Sequence, residues 1–203
     1  TAVNNLTISS MTVTDSFTAD DVSSIGADAD RFSVRGWNGD AQRWGNQTVL
    51  GRTATNITVS AQMLPMSGGT NSLIEFTAGE PLASKLLVTL PGQTFTSGSG
   101  NSGTVSNQTA RVPFALTLSA VDSFNMLDAS YAGEKTISYS GPGNGPDGGT
   151  PEYTTSVAFS NGQAAGLTTT LKKVESTTIT AADGLLAGVP SSRETISGRD
   201  SSK

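Results

Sequence analysis

Apolar and polar positions alternate with a period of two along most of this chain. Phe114, Leu116, Leu118 and Ala120 are interleaved with Ala115, Thr117 and Ser119, and Ile57, Val59, Ala61 and Met63 with Thr58, Ser60 and Gln62. Such spacing puts the apolar set on one face of a pleated strand and the small polar set on the other. Shorter alternations recur at Leu6 and Ile8, Phe32 and Val34, Ile137 and Tyr139, Val157 and Phe159, Leu167 with Thr169 and Leu171, and Thr177 with Ile179 and Ala181. Thr and β-branched residues dominate them, as the half-buried face of a sheet favours. Nowhere do apolar positions repeat at the 3.6 spacing of a helix, so the pattern predicts an all-β fold with little or no helix.

Turn-forming residues divide these strands. Asn161-Gly162, between the Val157–Phe159 alternation and the Leu167 run, predicts a hairpin, because both residues accept the positive φ angles of a tight turn. Asp183-Gly184 and Gly68-Gly69 carry the same signal more weakly. Residues 140–151 are almost all turn formers and read as an exposed loop joining two strands. The Gly/Ser-rich stretch 96–107 reads as a second loop.

Composition shifts along the chain. Both Trp and four of the seven Arg precede residue 53, whereas four of the five Lys lie from position 135 onward. A fresh strand and turn open at Leu86-Leu87-Val88-Thr89-Leu90-Pro91-Gly92. The expected organisation is therefore two small β-sandwich domains, residues 1–84 and 85–190, followed by a polar C-terminal tail, 191–203.

From about Lys85 the chain resembles the tandem immunoglobulin-like repeats of large prokaryotic surface and secreted proteins. Carrying the resemblance are Leu87-Val88-Thr89-Leu90-Pro91-Gly92, Thr109-Ala110-Arg111-Val112-Pro113-Phe114, the run from Ala115 to Asp122, Ser140-Gly141-Pro142, Pro146-Asp147-Gly148 and Pro151-Glu152-Tyr153. Further on come Val157-Ala158-Phe159-Ser160-Asn161-Gly162, Thr168 to Lys173, and Glu175 to Gly184. The chain departs from the repeats at Arg111, where Gly usually follows Thr-Ala, and at residues 126–130, where a tight Asn/Gly turn is common. The resemblance implies an immunoglobulin-like Greek-key sandwich serving as spacer, stalk or adhesive module, with no catalytic residues to transfer.

Composition narrows the chemistry. The 203 residues contain no Cys and no His, which removes disulfides, thiol nucleophiles, Cys/His zinc sites and His-based triads. A net charge of −5 argues against nucleic-acid binding, and no apolar run approaches the length of a membrane span. Ser and Thr make up about 27% of the chain and charged residues only 14%, a polar, lightly charged surface of the kind extracellular β-proteins carry. The expected location is secreted or at the cell surface.

Three sets of residues could still bind something. Asp20, Asp21, Asp28 and Asp30 could supply oxygen ligands to calcium, the one cofactor the residues leave open, although Arg31 and Arg35 lie close enough to pair with some of them. Trp37 and Trp44 could form a stacking platform for carbohydrate or pack into a core or interface. Asn5, Asn46, Asn56 and Asn107 stand in Asn-X-Ser/Thr sequons, the acceptor pattern for glycosylation.

The expected function is that of a non-catalytic extracellular structural protein, a surface, filament or lattice subunit. Its partners are other copies of itself or neighbouring domains, with strand addition by residues 3–13 or 193–197 as one means of assembly. The alternative is an adhesin module binding carbohydrate or another ligand through Trp37 and Trp44 or through the 140–151 loop.

Overall fold

A computed structural model describes residues 11–18, 20, 22, 28–38, 43–61 and 76–198. The fold is all-β, built from mainly antiparallel sheets packed as sandwiches. Contacts divide the chain into two units between Pro81 and Leu82, a few residues before the 84/85 boundary expected from sequence.

The first unit contains β1 (Met11–Ser16), β2 (Ser33–Asn38), β3 (Arg43–Asn46), β4 (Thr48–Arg52), β5 (Asn56–Ala61) and β6 (Phe76–Gly79). They form two three-stranded sheets, ordered β1-β5-β4 and β3-β2-β6. The alternations at Phe32/Val34 and Ile57/Val59 are what join them: these four side chains are the buried cluster, flanked by Val13, Phe17, Val49, Phe76 and Ala78. A 3-10 turn at Ala29–Arg31 leads into β2.

In the second unit the strands are β7 (Lys85–Thr89), β8 (Thr94–Thr96), β9 (Gly100–Ser102), β10 (Gln108–Thr109), β11 (Phe114–Val121), β12 (Gly133–Thr136) and β13 (Ser138–Ser140). They continue as β14 (Glu152–Tyr153), β15 (Ser156–Phe159), β16 (Gln163–Thr170), β17 (Ser176–Thr177), β18 (Thr180–Ala182), β19 (Ala187–Gly188) and β20 (Glu194–Ser197). A five-stranded sheet, β14-β16-β11-β7-β19, is accompanied by the shorter ladders β10-β20-β17, β12-β15 and β13-β18. Leu86, Val88, Leu116, Leu118, Ile137, Val157, Phe159, Leu171, Ile179, Ala181 and Ile196 fill one continuous core. The long alternation at Phe114–Ala120 thus occupies the middle strand of the main sheet, where both neighbours cover it.

Local chemistry explains the turns. Asn161 and Gly162 have φ of 48° and 80°, and Ser160 and Gln163 exchange both backbone hydrogen bonds, closing the predicted hairpin. Arg111 has φ of 67°, a left-handed backbone that costs an L side chain energy glycine would avoid.

Two expectations need correction. The stretch read as loop 96–107 includes the turn and second strand of the hairpin β8–β9, with Thr94 opposite Ser102 and Thr96 opposite Gly100; its Gly and Ser content concealed the pairing. The segment read as a polar tail from 191 is part of the fold as far as 198. Glu194 to Ser197 form β20, parallel to β10 on one edge and antiparallel to β17 on the other.

Candidate functional site

The register of the main sheet defines two poles of the second unit. Lys85 lies opposite Val121, and Ser119 opposite Gln163, so the starts of β7 and β16 share the proximal pole with the end of β11. Phe114 lies opposite Thr169, and Tyr153 beside it, at the distal pole. The chain enters the unit at Leu82, proximally. It leaves at Gly198, distally, because β20 runs parallel to β10 with Ser197 beside Thr109, just before the turn into Phe114.

Three carboxylates organise the proximal loops. Asp128, 3% exposed, accepts from the backbone N–H of Ala83 at 2.9 Å through Oδ2, and from the N–H and hydroxyl of Ser130 through Oδ1. It therefore ties the incoming chain to the loop after β11. Asp122 accepts from the N–H groups of Phe124 at 2.8 Å and Met126 at 2.9 Å. Asp183 accepts from the N–H groups of Leu185 and Leu186 and from the Tyr131 hydroxyl. Burial alone would raise the Asp183 carboxyl; the Tyr131 hydrogen bond and the Leu186 and Leu185 amides outweigh it and hold the group below the usual range. Tyr131 is raised by burial and by Asp183, and its ring packs edge-on against Phe159 with the Lys135 ammonium 4.9 Å from its centre.

Breaking this proximal tie has a calculable cost. Asp128→Ala leaves the part-buried Ala83 and Ser130 N–H groups and the Ser130 hydroxyl without their acceptor, and a loss of about 2 kcal/mol is expected. Asp128→Asn, which keeps one carbonyl acceptor, should lose less. Urea denaturation of the two variants checks the order; equal losses would mean that the acceptors are not what matters.

The distal pole is held by ion pairs and by a closed loop. Arg111 pairs with Asp147 at 2.9 Å, Lys172 with Glu152 at 2.7 Å, and Lys173 with Glu175 at 3.1 Å. Glu175 also accepts from the N–H of Gly143. The 140–151 loop therefore follows a defined path, with Gly145 and Gly149 hydrogen-bonded across it. Beneath it the rings of Tyr139 and Tyr153 stack at 4.4 Å and 6°. Burial pushes the Tyr139 hydroxyl up to about 12.

Glu194 is a site residue that sequence reasoning missed. It is 1% exposed, and neither carboxylate oxygen has a hydrogen-bond partner. Burial raises its carboxyl to about 7. The only cue in the sequence is the alternation of Glu194 and Ile196 with Thr195 and Ser197, too short to stand out in a Ser-rich segment.

The candidates read from sequence fall in the first unit or on surfaces. Asp28 caps the 3-10 turn, accepting from the Asp30 N–H at 3.0 Å and pairing with Arg31 at 3.3 Å, while its own N–H donates to Glu80. Asp20 and Asp30 are exposed, and Asp21 lies outside the described residues. Among the described residues no three acidic side chains converge as a calcium site would require.

Trp37 and Trp44 are register partners across β2 and β3, half-buried, with ring centres 5.7 Å apart at 59°. They form one aromatic cluster rather than two separated platforms. On the same sheet the hollow lined by Ser33, Arg35, Thr77 and Glu80 holds about 80 Å³, well below the roughly 300 Å³ at which small-molecule pockets begin. Asn46 and Asn107 are exposed. Asn56 is half-buried on β5 and accepts from the Ser16 hydroxyl at 2.6 Å; Asn5 lies outside the described residues.

No helix among the described residues is long and apolar enough to cross a membrane. Compared with known proteins, the sequence matches no family model and no curated relative.

Proposed function

We propose that this chain is a non-catalytic structural protein of an extracellular or cell-surface assembly, with its second unit serving as a spacer wired in series. One observation carries the reading: the chain enters that unit at one pole and leaves at the other. A domain threaded in this way adds its own length to whatever it joins. Near its end, the strand before the last, β19, also runs parallel to its first strand, β7, with Ala187 opposite Lys85. Tension along the chain therefore loads these ladders in shear, several hydrogen bonds at once. The resemblance to tandem immunoglobulin-like repeats and the Cys-free, lightly charged composition support the same assignment.

Partners in this reading are further copies or neighbouring domains. Strand addition by 193–197 has no free edge to use, since β20 is bonded on both sides. At the other end, residues 3–10 lie outside the described residues; among the described residues β1 is an edge strand in the order β1-β5-β4, and an edge is where a neighbour's strand would add.

Single-molecule pulling tests the spacer. Loading through residues 82 and 198 is expected to unfold the second unit in one step, lengthening the chain by about 350 Å. The force should exceed that needed when the handles are placed at 82 and 161, both proximal, where strands peel one hydrogen bond at a time. Equal forces along the two axes would overturn the proposal.

A further inference from the structure

The last strand carries a carboxylate where a core residue belongs. Glu194 and Ile196 point inward from β20, each 1% exposed, while Thr195 and Ser197 point out. No hydrogen bond compensates for the burial of Glu194.

Among the described residues, the groups around it offer no positive charge to balance an ionised carboxylate. From β17, Thr177 lies directly opposite and its hydroxyl donates to the Thr178 carbonyl. Tyr153 of β14 feels the Glu194 charge, and its own hydroxyl is buried and unpartnered. Beyond Tyr153 stand Tyr139 of β13, whose hydroxyl donates to the Thr154 carbonyl, and Glu175, already engaged by Lys173 and Gly143. β10 contributes Gln108 and Thr109, neither of which titrates. Arg193, the adjacent cation, is exposed and donates to the Ser176 carbonyl.

The attachment of β20 is slight. Two residues pair with β10 and two with β17, and neither of those strands has another partner in its sheet. Backbone hydrogen bonds from Ile196 to the Glu175 carbonyl and from Ala110 to the Ser197 carbonyl add to it, as do the Ser197 hydroxyl on the Gln108 carbonyl and the Ile196 side chain in the core. An ionised Glu194 can regain water only if this short strand lifts.

We propose that β20 is a latch strand gated by protonation of Glu194, firmly seated while the carboxyl is neutral and loosened from Glu194 to Ser197, opening more often, when it ionises. This inference does not depend on the spacer reading. The carboxyl's position at about 7 puts the gate within the range of ordinary extracellular pH changes.

Hydrogen exchange of the full chain at pH 6 and pH 8, corrected for the intrinsic pH dependence of amide exchange, tests the latch. Protection of β20, and of its partners β10 and β17, should fall about tenfold at pH 8, one unit above the carboxyl's midpoint. Protection in β7, β11 and β16 should hold. Glu194→Gln should remove the difference, and Glu194→Met does the same test if the amide variant fails to fold. A difference that persists in either variant, equal protection of wild-type β20 at both pH values, or loss of protection throughout the unit together would each overturn the proposal.

Discussion

Replacing Glu194 with methionine is expected to raise the unfolding free energy of the second unit by about 4 kcal/mol at pH 8, and by only about 1 kcal/mol at pH 4. The folded carboxyl titrates at about 7, against 4.5 for the unperturbed group. Between those values the unfolded chain has lost a proton that the folded chain keeps. Stability therefore falls as pH rises from about 4.5 through 7 and levels off above it. A shift of that size corresponds to about 3 kcal/mol, nearly all of it relieved by a side chain of similar length that cannot ionise. What remains at low pH is the cost of burying a neutral carboxyl without a partner. Urea midpoints measured from pH 4 to 8.5 should show wild type declining and Glu194→Met flat. Parallel profiles would mean that Glu194 reaches water, or a partner, in the folded chain.

Glu194 also marks where sequence reading stops. The strands that were legible, such as Phe114–Val121 and Val157–Phe159, carry several apolar residues in strict alternation, and their burial is written into that local pattern. β20 has one apolar residue, Ile196. Its burial depends on edges contributed by residues 108–109 and 176–177, distant in sequence and themselves only two residues long. Asp122, Asp128 and Asp183 were invisible for a related reason. An isolated Asp after a strand reads as solvated, and only the folded loops show that each one collects backbone N–H groups. The Asn161-Gly162 turn was legible because its constraint is local, two residues that tolerate positive φ. The cross-strand contact of Trp37 with Trp44 needed the β2–β3 register, which the intervening residues do not encode in any simple count.

Within the loop that the sequence marked only as turn formers, Gly141→Ala is expected to cost about 3–5 kcal/mol, whereas Gly148→Ala should cost about 1 kcal/mol. Both residues have positive φ, 118° and 79°, so both substitutions carry a backbone penalty. They differ in what surrounds them. A Cβ at Gly148 meets nothing within 4 Å; one at Gly141 would fall far inside van der Waals contact distance of the Thr178 carbonyl oxygen. That oxygen belongs to backbone and has little room to retreat. The next residue, Ile179, is fully buried, and its N–H is fixed by the Ser191 hydroxyl at 2.9 Å. Immediately before Gly141, Ser140 is register partner to Thr180 across β13 and β18. Relieving the clash must therefore open that seam or shift Ile179 in the core. Denaturation midpoints of the two variants against wild type separate crowding from backbone preference. Equal losses would show that positive φ alone, rather than the packing of the 140–151 loop against residues 178–179, explains the glycine at 141.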